Sequence, residues 1–293
     1  MAELSWINRD EYPFESHYFE LDPGRMHYVD EGQGSPVVMV HGTPTWSFLY
    51  RDLIKELSRS HRVVAVDHIG FGLSDKPEAY SYRPEELAQN LTALIEQLNL
   101  RDITLVVHDF GGPIGLSYAI DHPGNVKALV LFNTWMWSLQ GNSSVKMASR
   151  LLGNPIGRFL YKRMNFSPRM LMKAAMGDKS KLTKEIHQHY INVFPEPQDR
   201  QAPWTFAREL LGSSNWYDRL WQQRERIKEK PTLILWGMKD PTFSASDLER
   251  WAALFTDAEI VKFPEAGHFV PEEEEGNLAP IVERFLECVN QSV

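Results

Sequence analysis

A chain of 293 residues is long enough to bury a large core in one or two domains, and 43% hydrophobic with 24% charged residues is the balance of a globular protein. A formal charge of −8 sets aside nucleic acid as a partner, since a binder of phosphate backbones carries a basic face, and favours a small neutral molecule and water. The single cysteine, Cys288, allows no internal disulfide and falls in a predicted helix over 278–290, where it is expected to be packed.

The first ten residues lack a basic start followed by an apolar run, so no secretory leader is expected and the expected location is cytoplasmic. No apolar stretch reaches the roughly 18 residues of a membrane span, so no membrane partner is expected. Monomer and dimer are both open.

Two β-rich runs, 16–21 and 25–31, flank Asp22-Pro23-Gly24, a tight-turn signal, and predict an antiparallel hairpin. Continuous apolar runs then mark strands buried on both faces: Pro36–Val40, Arg62–Val66, 103–107, 126–132, 232–236 and Glu259–Phe263. Helical patterns alternate with them. One opens at Arg83-Pro84-Glu85-Glu86, with proline in the first turn and acids at the positive end of the dipole, and repeats Leu87, Leu91, Leu94 and Leu98 at helical spacing. Another runs over 113–120, and a third opens at Pro271 with acids behind it. This alternation predicts an α/β protein with a mostly parallel eight-stranded sheet covered by helices on both faces.

The stretch 136–212 breaks the pattern. It is helical, contains no convincing strand and carries Met147, Met164, Met170, Met172 and Met176. It reads as a helical cap inserted after the sixth strand, over a core made of 1–135 and 213–293. Its methionines suit either a surface that repacks around apolar ligands or ordinary core filling.

Val107-His108-Asp109-Phe110-Gly111-Gly112 ends a strand and begins a helix, the context of a strained turn that exposes one side chain at a sheet edge. Alone, Asp109 there is either a nucleophile or a helix N-cap. Three other strand ends bear on the choice. His41-Gly42-Thr43-Pro44 follows the third strand, Asp240 follows the seventh in Trp236-Gly237-Met238-Lys239-Asp240, and His268 follows the eighth in Glu265-Ala266-Gly267-His268-Phe269. Nucleophile, acid and histidine then stand in α/β-hydrolase order, with Asp109, Asp240 and His268 as the expected catalytic set.

Here the chain resembles the haloalkane dehalogenase and epoxide hydrolase branch of the α/β-hydrolase superfamily. The resemblance rests on Glu11-Tyr-Pro-Phe14, Tyr28-Val-Asp-Glu-Gly32, His41-Gly-Thr-Pro-Thr-Trp-Ser47, Asp67-His-Ile-Gly-Phe-Gly-Leu-Ser-Asp-Lys-Pro77 and the Asp109 turn, and spans nearly the full length. It implies a covalent ester on Asp109, cleared by water that His268 activates and Asp240 orients, with backbone N–H groups of Thr43 and Phe110 holding the oxyanion. No cofactor and no metal are implied; His187 and His189, two apart on a helix, point to different faces.

The resemblance departs at the substrate. Dehalogenases of the branch hold the leaving halide with an indole directly after the nucleophile and with a cap indole or an asparagine in the His-Gly motif. This chain has Phe110 and Thr43 there. Trp135 and Trp137, just past the sixth strand, are either replacement indole donors at a substrate pocket that Tyr190 and Phe269 also border, or apolar walls of the cap hinge. Epoxide hydrolysis would use cap tyrosines, for which Tyr161 and Tyr190 stand in range or simply pack. The expected activity is a dehalogenase-like hydrolase on a small apolar electrophile; epoxide hydrolysis and β-lactone opening are alternatives, as is a non-catalytic binding homologue.

Overall fold

The computed structural model describes residues 5–22 and 24–291. Eight strands make one sheet: β1 (His17–Leu21), β2 (Gly24–Glu31), β3 (Pro36–Val40), β4 (Arg62–Val66), β5 (Ile103–Asp109), β6 (Val126–Thr134), β7 (Thr232–Gly237) and β8 (Glu259–Phe263). The spatial order is β1-β2-β4-β3-β5-β6-β7-β8. The first hairpin pairs antiparallel and β2 meets β4 antiparallel; every later pair is parallel. The predicted turn at Pro23 lies outside the described residues.

Helices follow the apolar stripes in the sequence. α1 (Arg51–Leu57), α2 (Pro84–Gln97) and α3 (Gly111–Asp121) belong to the first half of the sheet. Between β6 and β7 come α4 (Ser143–Leu152), α5 (Pro155–Met164), α6 (Met172–Ala175), α7 (Lys184–Asn192), α8 (Gln201–Gly212) and α9 (Ser214–Gln222). α10 (Ala245–Leu254), α11 (Val270–Glu273) and α12 (Leu278–Gln291) close the chain. The helix expected from Pro271 is a single turn, because Gly276 takes φ +79° and separates it from α12. Cys288 is not packed as expected: it lies on the outer side of α12, whose buried stripe runs through Val282, Phe285, Leu286 and Val289.

Parallel strands put all their carboxyl ends on one edge of the sheet. The chain leaves β3 to one side for β4 and returns to its other side for β5, so the loops after β3 and β5 diverge from adjacent strands. Such a switch point opens a crevice at the strand ends, which is where ligands bind in sheets of this kind.

The elbow after β5 sits deeper than its sequence suggests. The position two before Asp109 holds Val107, fully buried, where a smaller residue is usual. Space is found on the helix instead: a Cβ on Gly115 of α3 would come within 2.7 Å of Val107 Cγ1. The missing Cβ of Gly115 therefore makes room for the Val107 side chain between helix and strand. Gly115→Ala should cost about 1–3 kcal/mol through overpacking, measured by urea unfolding, and Gly115→Ala with Val107→Ala should cost less than the sum of the two single changes.

Candidate active site

Four strand ends deliver their side chains to one point. Asp109 ends β5 at φ +52°, a left-handed conformation that is uncommon outside glycine and that aspartate tolerates better than most residues. The turn lifts its carboxylate off the sheet edge toward the loop after β3. There the backbone N–H of Thr43 donates to Asp109 Oδ1 at 2.7 Å. That approach needs Gly42, since a Cβ at this position would lie 2.1 Å from the same oxygen. The hydroxyl of Thr134, at the end of β6, donates to the Asp109 carbonyl at 2.6 Å and fixes the elbow from behind.

His268 reaches the second oxygen. Its Nε2 lies 3.5 Å from Asp109 Oδ2, an ion-pair contact longer than a good hydrogen bond, and its Nδ1 lies 2.8 Å from Asp240 Oδ2. All three side chains are buried. Burial disfavours an imidazolium, but the charge of Asp240 and the contact with Asp109 outweigh it and push His268 up to about 10. Burial likewise opposes the charge on Asp109, and is outweighed by His268 and the Thr43 N–H, which hold its carboxyl below the ordinary aspartate value. The imidazole thus sits between two carboxyl groups, and both favour its protonated form.

Asn133 is the residue that sequence reasoning misses. Pairing of β5 with β6 steps from Phe132 to Thr134 across an irregularity, which leaves Asn133 unpaired on that side. Its amide turns to β7, accepting from Gly237 N at 2.8 Å and donating to Gly237 O at 3.1 Å. It also donates to Asp240 Oδ2 at 2.9 Å, while Thr242 N–H donates to Oδ1 at 2.6 Å. A signal for it exists in the chain: an amide closing an otherwise apolar strand needs a partner when buried. His108 supports the other flank. Burial first, and the neighbouring His268 charge second, push it down to about 3, so it is neutral and its Nε2 meets the His268 carbonyl at 2.9 Å.

Aromatic rings wall the approach. Phe110 packs on Phe206 of α8 at 4.2 Å and edge-on to Trp135 at 4.8 Å, and Trp135 stacks on Phe243, whose ring is 5.7 Å from His268. The Trp135 indole Nε1 and the Thr43 hydroxyl are buried without a hydrogen-bond partner. Phe269 lies edge-on to His268 at 4.7 Å. Trp137 takes a different place: its ring contacts are Trp221 and Trp251, with Arg250 over its face, so it walls the α9–α10 side rather than standing with Phe110.

Tyr190 is committed elsewhere, its hydroxyl bonded to Glu272, which also takes a bidentate pair from the buried Arg51 at 2.8 and 2.9 Å. Tyr161 is buried, and besides that burial and a bond to Ser167, its phenol feels the Asp109 charge. The neighbouring Glu273 accepts from Gly267 N at 2.8 Å and Asp178 N at 2.7 Å, and His268 N donates to Ala175 O at 2.9 Å. Asp67, which falls in a turn-like stretch of sequence, is a buried clamp that accepts from Ser47 N and Leu73 N and contacts His27 Nδ1.

Residues 35–275 match the family described as alpha/beta hydrolase fold. The chain is 36% identical over 277 residues to haloalkane dehalogenase 2 of Mycobacterium tuberculosis, covering 94% of this chain and 96% of that one. The chain belongs to the α/β-hydrolase superfamily, in its dehalogenase branch. It is also 33% identical over 285 residues to cis-3-alkyl-4-alkyloxetan-2-one decarboxylase of Shewanella oneidensis, covering 94% of this chain and 89% of that one. Among solved structures, a haloalkane dehalogenase from Agrobacterium tumefaciens superposes with a TM-score of 0.84 at 26% identity, covering 94% and 97% of the two chains. As its relatives indicate, this α/β-hydrolase is a hydrolytic enzyme.

The charge arrangement around His268 gives a measurable sign. Asp109→Asn removes one of the two carboxylates that raise it, so its pKa should fall from about 10 by NMR titration of the imidazole, while Asp240 keeps it above the ordinary histidine value. Because the folded pKa lies above the unfolded one, the associated stability is fully present below about pH 6.5 and is lost as pH rises toward 10. The stability gap between wild type and His268→Asn should narrow over that window in urea titrations.

Proposed function

We propose that this hydrolase acts through a covalent ester on Asp109, in the manner of a haloalkane dehalogenase, on a small apolar electrophile. The carrying observation is the division of labour at Asp109, where Oδ1 is held by the Thr43 N–H and Oδ2 faces His268 without a close donor. Oδ2 attacks a saturated carbon, the new C–O bond forms, and the bond to the leaving group breaks with its electron pair.

Esterification removes the Asp109 charge, and His268 then loses one of the groups that keep it protonated. Its pKa falls, it gives its proton to solvent as the leaving group departs, and neutral His268 then takes a proton from the water that attacks the ester carbonyl. The oxyanion develops on Oδ1, between the N–H groups of Thr43 and Phe110, while Asp240 steadies the imidazolium with Asn133 holding it in place; collapse breaks the Cγ–Oδ2 bond, and the product leaves as an alcohol carrying the proton that His268 returns. Residues 136–212 serve as the cap, and Phe110, Trp135, Phe206, Phe243 and Phe269 form an apolar chamber.

β-Lactone opening is the second reading, and one observation favours it. Phe110 offers no side-chain donor to a departing halide, whereas a strained ring carries its leaving oxygen along and needs no such pair. The Shewanella relative is named for an oxetan-2-one substrate. Epoxide hydrolysis has less support, because Tyr190 is held by Glu272 and leaves Tyr161 without its partner.

His268→Phe should trap the ester, read as a stable adduct on Asp109 by intact mass and peptide mapping. A haloalkane adds its alkyl group alone, and a β-lactone adds its whole mass. An active wild type whose variant accumulates no adduct would rule out the covalent route. Trp135→Phe separates the two substrates. If the indole N–H serves a leaving halide, its loss should lower kcat/KM for haloalkanes about ten- to a hundredfold and leave lactone opening nearly unchanged.

A further inference from the structure

Six large apolar side chains stand in solvent within one stretch of the insertion. Met147 and Leu151 on α4, Ile156, Phe159 and Met164 on α5, and Met170 just beyond are each between 54% and 69% exposed. Only Met238, at 38%, joins them elsewhere among the described residues. On α4 the two are spaced i, i+4, and on α5 Ile156 and Phe159 are spaced i, i+3, so each pair forms a stripe. Both helices pack on α8 and on each other through an inner side that includes Val145, Gly157 and Tyr161. The apolar stripes are on the side left over.

The charge of this stretch is opposite to that of the chain. Residues 122–177 hold no aspartate and no glutamate, although the whole protein carries −8. Arg158 lies over Trp204 and Lys162 reaches Gln201, toward α8. Lys146, Arg150, Arg163, Arg169 and Lys173 are exposed, and no carboxylate among the described residues pairs with any of them. Lys146 and Arg150 flank the α4 stripe, and Arg163 continues the one on α5.

We propose that the outer face of α4 and α5 docks on an anionic lipid surface. Long apolar tips ringed by unpaired cations match a negatively charged bilayer, which needs no shape complementarity, better than they match a second copy of this chain. Two copies meeting face to face across a two-fold axis would set cation against cation. The acidic remainder of the protein is repelled by the same bilayer, so binding is oriented with this face down. The sequence expectation of no membrane partner rests on spanning segments, and none of the described helices is long and apolar enough to cross. Lying on a surface is a separate matter. The inner side of α5 carries the buried Tyr161, whose phenol feels the Asp109 charge.

The test is co-sedimentation of the full chain with large unilamellar vesicles of phosphatidylcholine alone or with about 30% phosphatidylglycerol. The protein should pellet with the anionic vesicles, and the bound fraction should fall as salt rises from about 50 to 500 mM. Arg150→Gln with Arg163→Gln should weaken partitioning roughly twenty-five-fold, at about fivefold per cation. Leu151→Ser with Phe159→Ser should weaken it while leaving its salt dependence in place. All four positions are exposed, and circular dichroism melts check that each variant stays folded. Equal binding to neutral and anionic vesicles, or variants that bind like wild type, overturns the proposal. So does a vesicle-free dimer by sedimentation equilibrium that Leu151→Ser with Phe159→Ser returns to monomer, since the face then belongs to a second copy.

Discussion

Two buried carboxylates, Asp109 and Asp240, face one imidazole, and much of the surrounding structure answers the electrostatic cost of that arrangement. A buried charge persists only where it is paired and hydrogen-bonded. Each acid here has its own donors: Thr43 N–H for Asp109, and Asn133 and Thr242 for Asp240. The imidazole between them supplies the single positive charge. The elbow strain at Asp109, the irregular step in β6 and the close packing at Gly115 all serve to bring those donors to their places. Removing any one donor leaves a carboxylate partly uncompensated where water cannot reach.

Much of this is legible from the chain. Buried parallel strands read as continuous apolar runs, so the six strands after the hairpin stand out, and the polar residues at their ends mark Asp109, Asp240 and His268. Strand ends are less legible. β5 and β6 run two residues past their apolar runs, because Asp109 and Thr134 still make sheet contacts while turning polar groups into the site. Asn133 escapes for the same reason: at that strand end the sequence invites a search for an acid, and the role of the amide depends on a register step that no local pattern encodes. Tyr190 shows the converse case, where the sequence leaves a substrate donor and simple packing both open. Its position in the insertion suggests a substrate donor, but its hydroxyl is taken by Glu272, a long-range pairing with a residue 82 positions away.

The walls follow a related logic. Phe110, Phe206, Trp135 and Phe243 interlock from four separate parts of the chain, and the last of them reaches the His268 ring. Periodicity identifies each as buried, but does not say which faces meet. Trp135 and Trp137 illustrate this. Two residues apart at the end of β6, they diverge into different layers, one beside the elbow and the other among Trp221 and Trp251.

One short turn carries a further consequence. Glu272 and Glu273 are adjacent, yet the first holds Arg51 of α1 and Tyr190 of α7, and the second holds the backbone on both sides of the seam between the His268 loop and residues 175–178. A bond to a charged acceptor of this kind is worth about 1.5–3 kcal/mol, and the direct His268–Ala175 backbone bond adds to the seam. Lifting the insertion along that edge would pull the histidine out of register at the same time. That edge therefore ties the placement of residues 175–178 to the register of the histidine loop, so the two move together or not at all.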